Sequence, residues 1–426
     1  MSAAWLLSQR HAVTLYEKSG RLGGHSNTVE VKTSLGPTPV DTGFIVFNDA
    51  TYPNLIALFD HLGVATKASD MSFGVSLNGG KMEYSSVGAS AFLCGGRNLI
   101  NPRFWSMTLD LLRFYKHAPF ELSETREELI SLGEYLERRG YGDAFRRDHL
   151  LPQAAAIWSA SMADIHHYPA CAFVRFFENH GLLKLKGRPQ WRTVEGGSRA
   201  YVEKLTAPYA DRARLNAGAV SIRRDGAGAW VRDANGSAER YDAVVIATHA
   251  NDALEMLDDP SAEERRLLGA FRYTKNCAVL HTDPALMPRR KPLWASWNYV
   301  GDHPDGGCTV SYWMNKLQDI TSREQIFLTL NPRLMPREET ILYRTEYEHP
   351  LFDAAAIRAQ EQLWSLQGVR NTWFCGAHFG AGFHEDGLQA GLAVAEQLGG
   401  LRRPWRVAGE SGRIHVAPPA RQVLAA

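Results

Sequence analysis

The sequence has almost no excess of charge of either sign. Its 47 lysines and arginines stand against 46 aspartates and glutamates, which leaves a formal net charge of +1 over 426 residues. Nucleic-acid-binding chains usually carry a basic excess that attracts phosphates. The overall balance therefore argues against a nucleic-acid partner.

Cysteine is scarce, and its spacing is irregular. The five cysteines are odd in number and never form a C-x-x-C pair (Cys94, Cys171, Cys277, Cys308 and Cys375). Disulfide frameworks and zinc sites need paired or closely spaced cysteines. We therefore expect no metal site and a reducing compartment, with the cytoplasm as the default.

Long apolar runs are also missing. No stretch approaches the roughly 20 apolar residues that span a bilayer, and the opening MSAAWLLSQRH is too short for a secretory signal. Peripheral contact with a membrane stays open. Hydrophobic residues still make up 45% of the 426, and a chain of this length is expected to form two domains.

The most informative absence is a glycine-rich phosphate-binding loop near the start. In a dinucleotide-binding βαβ unit this loop lies about 20 residues before an acidic residue that holds the ribose hydroxyls. The stretch VTLYEKSGRLGGHSNTV, from Val13 to Val29, resembles the second half of such a unit, with Glu17 as the acid. The loop would then fall before Met1. We expect the DNA upstream to encode, in frame, a β-rich run followed by G-x-G-x-x-G.

Apolar periodicity along the chain alternates between helix and strand. SAAWLLSQ and PNLIALFDHLG have helical spacing, and MSFGVSLNGGKMEYSS has the pattern of a hairpin. Residues 101–181 are almost entirely helical in pattern, with wide apolar faces in FWSMTLDLLRFYKH and YPACAFVRFFENHGLL. Residues 271–348 are rich in strand formers. DAVVIAT predicts a strand buried on both faces, and we expect the tail from Leu401 to Ala426 to be poorly ordered in part.

Several segments resemble the flavin amine oxidase superfamily. EKSGRLGGHS is similar to its E-(x)n-R-x-G-G-[RH] segment, with Glu17, Arg21, Gly23, Gly24 and His25 at the matching positions. PVDTGFIVFN resembles its glycine-centred segment beneath the flavin ring, and QWRTVEGGSRAYVEKL resembles its G-G-x-x-x-L turn. FCGAHFGAGFHEDGLQAGLAVAEQLGG is similar to its C-terminal flavin signature and is the most specific match. The chain also resembles a bacterial subgroup of NAD/FAD-binding, amine-oxidase-like oxidoreductases.

The resemblance implies an α/β fold with a Rossmann-like FAD-binding domain of the glutathione-reductase and amine-oxidase type. Residues 1–50, 188–270 and 370–400 would form this domain, which is discontinuous in sequence. Residues 51–187 and 271–369 would form the substrate domain, a mixed sheet capped by helices over the flavin. Residues 401–426 would form a tail.

The same resemblance implies FAD as the cofactor and suggests which residues contact it. A helix that starts near Asp386 and Gly387 would point free N–H groups at the pyrimidine edge of the flavin, where negative charge develops on reduction. The residues implied in cofactor binding are Glu17, Lys18, Arg21, Gly23, Gly24, His25, Ser26, Gly43, Phe44, Val220, Thr248, Gly376, Phe383, His384, Glu385, Asp386 and Gly387.

FAD implies hydride transfer from a substrate to flavin N5, and three residues are candidates for catalysis. His384 would serve as acid or base beside the flavin. Lys275, or Asn276 if the register shifts by one, would correspond to the lysine that amine oxidases place near N5. Tyr312 is a candidate for the aromatic residues that guide an amine. Three further aromatic residues are available on nearby strands: Trp297, Tyr299 and Trp313.

Other hypotheses stay open. The apolar helices suit a lipid-like substrate such as an unsaturated acyl chain, so a desaturase or isomerase is an alternative to an oxidase of small molecules. A nicotinamide-dependent dehydrogenase would bind its dinucleotide with the same βαβ unit, but it would not need the GFHEDGL part of the C-terminal flavin signature. A flavin-free, non-enzymatic remnant is favoured by the absent loop. Covalent attachment of the flavin through Cys375, the role of His378, the electron acceptor and the oligomeric state are not set by the sequence.

Overall fold

A computed structural model describes residues 1–124, 130–301 and 309–417. Cys308 and the last residues of the predicted tail, 418–426, lie outside the described residues. The described helices are α1 (Ser2–Leu7), α2 (Pro53–Leu62), α3 (Ala89–Phe92), α4 (Pro102–Glu124), α5 (Leu132–Arg138), α6 (Asp143–Phe145), α7 (Leu151–Trp158), α8 (Met162–His166), α9 (Ala170–Asn179), α10 (Arg199–Thr206), α11 (Ala250–Met256), α12 (Ala262–Leu268), α13 (Met314–Leu317), α14 (Ala354–Gln360) and α15 (His384–Gly399).

The strands are short except for two in the second half of the chain. They are β1 (Leu15–Tyr16), β2 (Thr28–Thr33), β3 (Gly36–Asp41), β4 (Val46–Asn48), β5 (Thr66–Ser69), β6 (Phe73–Leu77), β7 (Met82–Ser85), β8 (Trp191–Val194), β9 (Ala213–Arg214), β10 (Ala219–Arg224), β11 (Ala229–Asp233), β12 (Ala238–Tyr241), β13 (Val244–Ile246), β14 (Arg272–His281), β15 (Trp297–Gly301), β16 (Val310–Trp313), β17 (Phe327–Leu330), β18 (Ile341–Leu351) and β19 (Thr372–Phe374).

Two parallel strand pairs and a meander make up the predicted cofactor region. β1 pairs with β9 and β13 pairs with β19, both in parallel, while β10, β11 and β12 form an antiparallel meander. The expectation that DAVVIAT is buried on both faces is wrong. Among the described strands β13 pairs only with β19, and Val244 and Val245 are half-buried. An apolar run predicts a strand with apolar side chains, but it does not show how many other strands and helices pack against that strand.

The second region is a mixed seven-stranded sheet in the order β18-β14-β17-β16-β15-β6-β7. The predicted hairpin β6–β7 joins this sheet through a parallel ladder with β15, in which Phe73 lies opposite Trp297. Strands from both sides of residue 187 therefore share one sheet. The predicted helical block covers one face of it, since Tyr84 on β7 donates its hydroxyl proton to the Asp148 carbonyl at 2.7 Å.

The C-terminal helix α15 packs closely against α1. The small side chains of α15 permit this approach, because a β-carbon at Gly391 would lie 2.2 Å from Ser2 Oγ. The predicted helix SAAWLLSQ therefore contributes to the core, with Trp5 and Leu6 buried. No described helix is both long enough and apolar enough to cross a membrane.

Residues 401–417 of the predicted tail are held by contacts with the rest of the protein, and the expectation that the tail is poorly ordered in part stays a prediction for residues outside the described range. The side chain of Arg403 is fully buried, where it pairs with Glu396 at 2.8 Å and donates to Asn54 Oδ1. Trp405 stacks on Trp5 with 5.8 Å between ring centroids. Such a segment has no periodicity, because it is held by individual side chains rather than by regular backbone hydrogen bonds. The pattern therefore gave no signal for it.

Arg413 in this segment is expected to contribute strongly to stability. Its Nε lies 2.7 Å from Oδ1 of Asp386, whose side chain is fully buried. In an Arg413→Met variant this carboxylate would lose its buried partner, which costs about 3 kcal/mol of unfolding free energy. Urea denaturation measures the loss.

The matched control is Arg402→Met. Arg402 pairs with Glu410 at 2.6 Å, but its side chain is 58% exposed. An exposed pair of this kind contributes less than about 1 kcal/mol. Equal losses in the two variants would contradict the view that Asp386 depends on Arg413.

Candidate functional site

The Gly-Gly loop after β1 is folded around the side chain of Arg21. The guanidinium donates to the carbonyl oxygens of Gly24 at 2.7 Å and Ser26 at 3.2 Å. Gly23 has φ +114, and a β-carbon there would lie 2.7 Å from the Ser26 carbonyl oxygen. Only glycine suits such a position. Arg21 therefore shapes the loop, and its charge is partly used in doing so.

A second loop, between β3 and β4, lies directly against the first. The Phe44 amide donates to the His25 carbonyl oxygen at 2.7 Å. A β-carbon at Gly43 would come within 2.1 Å of that same oxygen. Gly43 is thus required by the close approach of two backbones, which is a role that the sequence resemblance alone did not specify.

Helix α15 begins where these two loops meet. The His384 ring stacks on Phe44 with 3.8 Å between centroids, and its Nε2 lies 3.0 Å from Ser26 Oγ. Ser26 Oγ is also hydrogen-bonded to the Tyr201 hydroxyl of α10. Four segments that are distant in sequence, namely the Gly-Gly loop, the Gly43 loop, α10 and α15, therefore converge on one position.

The start of α15 differs from its prediction. The helix begins at His384, two residues earlier than expected, and the amides of Asp386 and Gly387 both donate to the Phe383 carbonyl. Those two N–H groups are therefore not free for a ligand. The first-turn amides that remain without a carbonyl partner in the helix are those of His384 and Glu385.

The acidic side chains of this turn are held by the protein. Glu385 accepts hydrogen bonds from the Asn54 amide at 3.1 Å, from the Asn54 side chain at 2.8 Å and from the Leu55 amide at 3.0 Å. Asp386 accepts from the Phe383 amide, which caps the helix, and from Arg413. These contacts engage both carboxyl groups within the protein, and their predicted contact with the cofactor stays a prediction.

Glu17 lies at the end of β1, as predicted. Its amide donates to the Arg214 carbonyl of β9, and its carboxylate accepts the Ser19 amide at 2.8 Å. The Ala217 amide donates to the Glu17 carbonyl, which brings the segment leading to Val220 beside Lys18. Val220 is 49% exposed. The structure thus brings Glu17 and Lys18, at the end of β1, close to the start of β10, which carries Val220.

Gly376 and Thr248 also lie side by side, at the ends of β19 and β13. A β-carbon at Gly376 would meet the Thr248 carbonyl at 3.4 Å and the His378 ring at 2.8 Å. His378 is buried, and its Nε2 has no hydrogen-bond partner among the described residues. Burial lowers the pKa of His378 to about 3, so the ring is neutral.

Histidines from two further segments lie beside His25 of the Gly-Gly loop. The His25 ring lies 5.4 Å from the His349 ring and 6.1 Å from that of His249, and 4.9 Å from the Tyr347 ring. Burial lowers the pKa of His25 to about 4 and that of His349 to about 3. The three imidazoles are therefore neutral together, since a charge on one would repel the others.

The sequence resemblance did not single out His249, His349 or Tyr347 as site residues. His349 and Tyr347 lie on β18 with their side chains on one face, as alternate residues of a strand must. The sequence offered one signal for these residues. THAN directly follows a predicted strand, and TEYEHP overlaps another. That signal becomes meaningful only when the sheet order is known.

Strand register separates the predicted catalytic residues. Tyr347 is opposite Asn276 on β14, and Tyr312 is opposite Trp297 on β15, all on the helix-covered face of the seven-stranded sheet. Lys275 points to the other face, where its side chain is 69% exposed and lies 3.6 Å from Glu346. The structure therefore brings Asn276, not Lys275, to this face. Trp313 also faces away and packs against Trp294.

Tyr347 joins the substrate sheet to the two loops. Its hydroxyl is hydrogen-bonded to Thr42 Oγ1 at 2.7 Å and accepts from Asn27 Nδ2 at 3.0 Å. Asn276, beside it, lies 3.0 Å from His349 Nδ1. The helix-covered face is thus continuous with the convergence of loops around His25 and His384.

The predicted role of His384 in acid–base chemistry stays a prediction, and its surroundings oppose it. Burial lowers the pKa of His384 to about 3, with His25 adding to the shift. A base with so low a pKa accepts a proton weakly at neutral pH. Tyr312 also stays a prediction. It is buried on the helix-covered face, with its ring 4.8 Å from that of Trp297.

Comparison with known proteins agrees with this arrangement. The family model described as flavin containing amine oxidoreductase matches residues 1–315. The "Putative flavin-containing monoamine oxidase AofH" of Mycobacterium tuberculosis is 26% identical over 308 residues, which cover 70% of this chain and 64% of that protein. The chain thus spans a little less than two thirds of that relative.

Solved structures show the same fold at low sequence identity. Cyclohexylamine oxidase from Brevibacterium oxydans IH-35A superposes with a TM-score of 0.66 at 15% identity, covering 93% of this chain and 96% of the other. A CLA-producing fatty acid isomerase from P. acnes superposes with a TM-score of 0.66 at 15% identity, covering 92% and 94%. The predicted α/β fold of the amine-oxidase type is confirmed, and with it FAD as the cofactor of the family. The chain belongs to the flavin-containing amine oxidoreductases.

Proposed function

We propose that the protein is an FAD-dependent oxidoreductase that oxidises a small organic substrate. The observation that carries this proposal is the convergence of the Gly-Gly loop, the Gly43 loop and the start of α15 around Ser26 and His384. When bound, the flavin supplies a hydride acceptor. The protein's own task is then to hold the cofactor and to orient the substrate.

The residues present fit a flavin dinucleotide on three counts. Glu17 offers a carboxylate at a strand end, which suits ribose hydroxyls. His25 and His378 each have a buried Nε2 without a partner in the described part of the chain, and a ligand would satisfy them. Gly43 and Gly376 leave no room for a side chain, because the His25 backbone approaches the first and the His378 ring approaches the second. The Gly-Gly loop, Thr248 and the first-turn amides of α15 would complete the set.

The substrate is proposed to bind on the helix-covered face of the seven-stranded sheet. Asn276, Tyr347 and His349 present neutral polar groups at the end nearest the cofactor residues. Tyr312 and Trp297 extend this face with aromatic surface, and Trp297 Nε1 is buried without a partner among the described residues.

We also propose the two-domain division expected from the sequence. Residues 1–50, 188–270 and 370–400 would form the cofactor domain, and residues 51–187 and 271–369 would form the substrate domain.

The proposal predicts a yellow protein with a flavin absorption spectrum. Under anaerobic conditions a primary amine should bleach the flavin band if the substrate is an amine, because hydride transfer reduces the ring. An unsaturated fatty acid should bleach it instead if the apolar-chain hypothesis holds. The absorbance near the flavin maximum, followed after mixing with each compound, is the measurement.

An Asn276→Leu variant provides the control for this experiment. It removes the amide beside His349 but leaves the loops that hold the flavin, so colour should persist while bleaching slows about tenfold or more. A chain that stays colourless after incubation with FAD would favour the flavin-free alternative. Bleaching unchanged in the variant would contradict the assigned substrate face.

We also propose a cytoplasmic location. Four of the five cysteines are described, and all four are free thiols: Cys94, Cys171, Cys277 and Cys375. Free thiols persist in reducing compartments. Fractionation of cells producing the tagged chain tests this proposal, and recovery from the periplasm or medium would contradict it.

A further inference from the structure

Helix α4 is apolar on two opposite faces, although only one of them is covered. Phe104, Met107, Leu111 and Phe114 point into the core and are buried. On the other side, Leu109 is 67% exposed. A surface helix normally turns polar residues to water, so a second apolar face requires a separate explanation.

The exposed apolar side chains form a continuous strip, which we call the α4 ridge. It consists of Leu99, Ile100, Trp105, Leu109 and Leu112. Ile100 is 90% exposed, and Trp105 Nε1 donates to the Leu99 carbonyl at 2.9 Å, which fixes the loop against the helix. Residues 105, 109 and 112 share one side of the helix because they are spaced by four and three.

The loop after α9 lies near α4 and also carries an exposed apolar residue. Helix α9 packs on α4, and the loop that follows it carries Leu185, which is 67% exposed. Lys184 and Lys186 flank this leucine, and both are exposed. Arg188 lies near enough to Tyr115 of α4 to oppose the rise that burial causes in the pKa of Tyr115.

Basic residues outnumber acidic ones in the two segments that form this surface. Residues 97–117 and 182–188 contain seven lysines and arginines against one acidic residue, Asp110, although the whole chain has a net charge of only +1. Arg103 and Arg113 are engaged in ion pairs. The other five basic residues are exposed: Arg97, Lys116, Lys184, Lys186 and Arg188. Apolar side chains ringed by basic ones are typical of a helix that lies in a membrane interface.

We propose that the α4 ridge and the Leu185 loop dock the protein onto an anionic lipid surface. The apolar side chains enter the boundary between headgroups and acyl chains, while the basic residues contact the headgroup phosphates. A second protein copy is a poorer occupant, because two identical basic surfaces would repel each other across a twofold axis. This docking is independent of the chemistry proposed above.

The test is sedimentation of the full-length, flavin-loaded protein with vesicles. We expect the protein to pellet with vesicles of phosphatidylcholine and phosphatidylglycerol, to remain in the supernatant with phosphatidylcholine alone, and to be released by salt. A double variant, Lys184→Glu with Lys186→Glu, should weaken binding at least about twentyfold, since each lysine contributes about fivefold. Leu109→Ser with Leu185→Ser should also abolish pelleting.

Matched controls come from exposed residues elsewhere. Leu334 is 70% exposed and Lys32 is exposed, and both lie outside the ridge and the Leu185 loop. Leu334→Ser and Lys32→Glu should bind like the unmodified chain, and circular dichroism checks the folding of all variants. Equal loss in controls and ridge variants would overturn the proposal. The proposal would also be overturned if the chain did not bind anionic vesicles and Leu109→Ser converted a dimer to a monomer in light scattering.

Discussion

A Gly43→Ala variant is expected to purify with at least about tenfold less bound flavin than the unmodified chain. The added β-carbon would lie 2.1 Å from the His25 carbonyl oxygen and 3.0 Å from its carbon. Backbone cannot yield as a flexible side chain can, so the two loops must separate, and the Phe44 to His25 hydrogen bond of 2.7 Å is lost. Overpacking of this kind costs about 1–3 kcal/mol.

The flavin-to-protein absorbance ratio of the purified variant measures this loss, together with its unfolding midpoint. Gly88→Ala is the control, because a β-carbon there meets nothing within 4 Å and its backbone is extended at φ 174. A Gly43→Ala protein with full colour would mean that the His25 and Phe44 loops do not form the flavin site.

Stability is expected to fall steeply as the pH drops below about 6.5. Burial lowers the pKa of His378 and His180 to about 3 and that of His149 and His281 to about 4. All four side chains are buried. When the chain unfolds, each imidazole regains a pKa near 6.5, so the unfolded state binds more protons between these limits.

The consequence has a definite sign. Neutral, buried imidazoles contribute fully to the free energy of unfolding above about pH 6.5. This contribution decreases as the pH falls toward about 4, by about 1.4 kcal/mol per histidine per pH unit. These four histidines alone give a limiting slope of about 6 kcal/mol per pH unit, and His25, His349 and His384 add to it with the same sign. Urea denaturation between about pH 7.5 and 5.5 measures it.

His180→Phe is expected to reduce this slope by about 1.4 kcal/mol per pH unit. The His180 ring stacks on Phe176 with 3.9 Å between centroids, and its Nε2 has no partner among the described residues. Phenylalanine keeps the stacking and loses only the bond between Nδ1 and the Phe176 carbonyl, which still accepts the His180 amide. His167→Phe is the control, because that histidine is exposed. A stability that does not change between neutral and mildly acidic pH would contradict the assignment of these rings as buried and neutral.

Local patterns predicted most of the regular structure. PNLIALFDHLG has proline at its first turn and glycine at its left-handed C-terminal cap, and the helix α2 has those limits. NGG between two alternating runs predicted the β6–β7 hairpin correctly. Such features succeed because caps and turns are decided by a few adjacent residues. The same patterns gave no signal for the contacts of residues 401–417, because Arg403 and Arg413 are ordered by partners that are distant in sequence.

In the candidate site, too, some features depend on adjacent residues and others on partners that are distant in sequence. The Gly-Gly segment and the start of α15 came from the sequence, since their glycines and acids lie within short motifs. The choice of Asn276 over Lys275 did not, because a shift of one residue moves a strand side chain to the other face of the sheet. Only the ladder with β18, in which Tyr347 is opposite Asn276, sets that register.

The sequence by itself determined the family and the cofactor, because these depend on contiguous motifs. The tertiary structure decided which side chains work together. It placed His25, His249 and His349 side by side from three separate segments and took Glu385 and Asp386 into buried anchors. It also left one apolar face of α4 uncovered. Periodicity shows that a helix is apolar on two faces, but only packing decides which of them is buried.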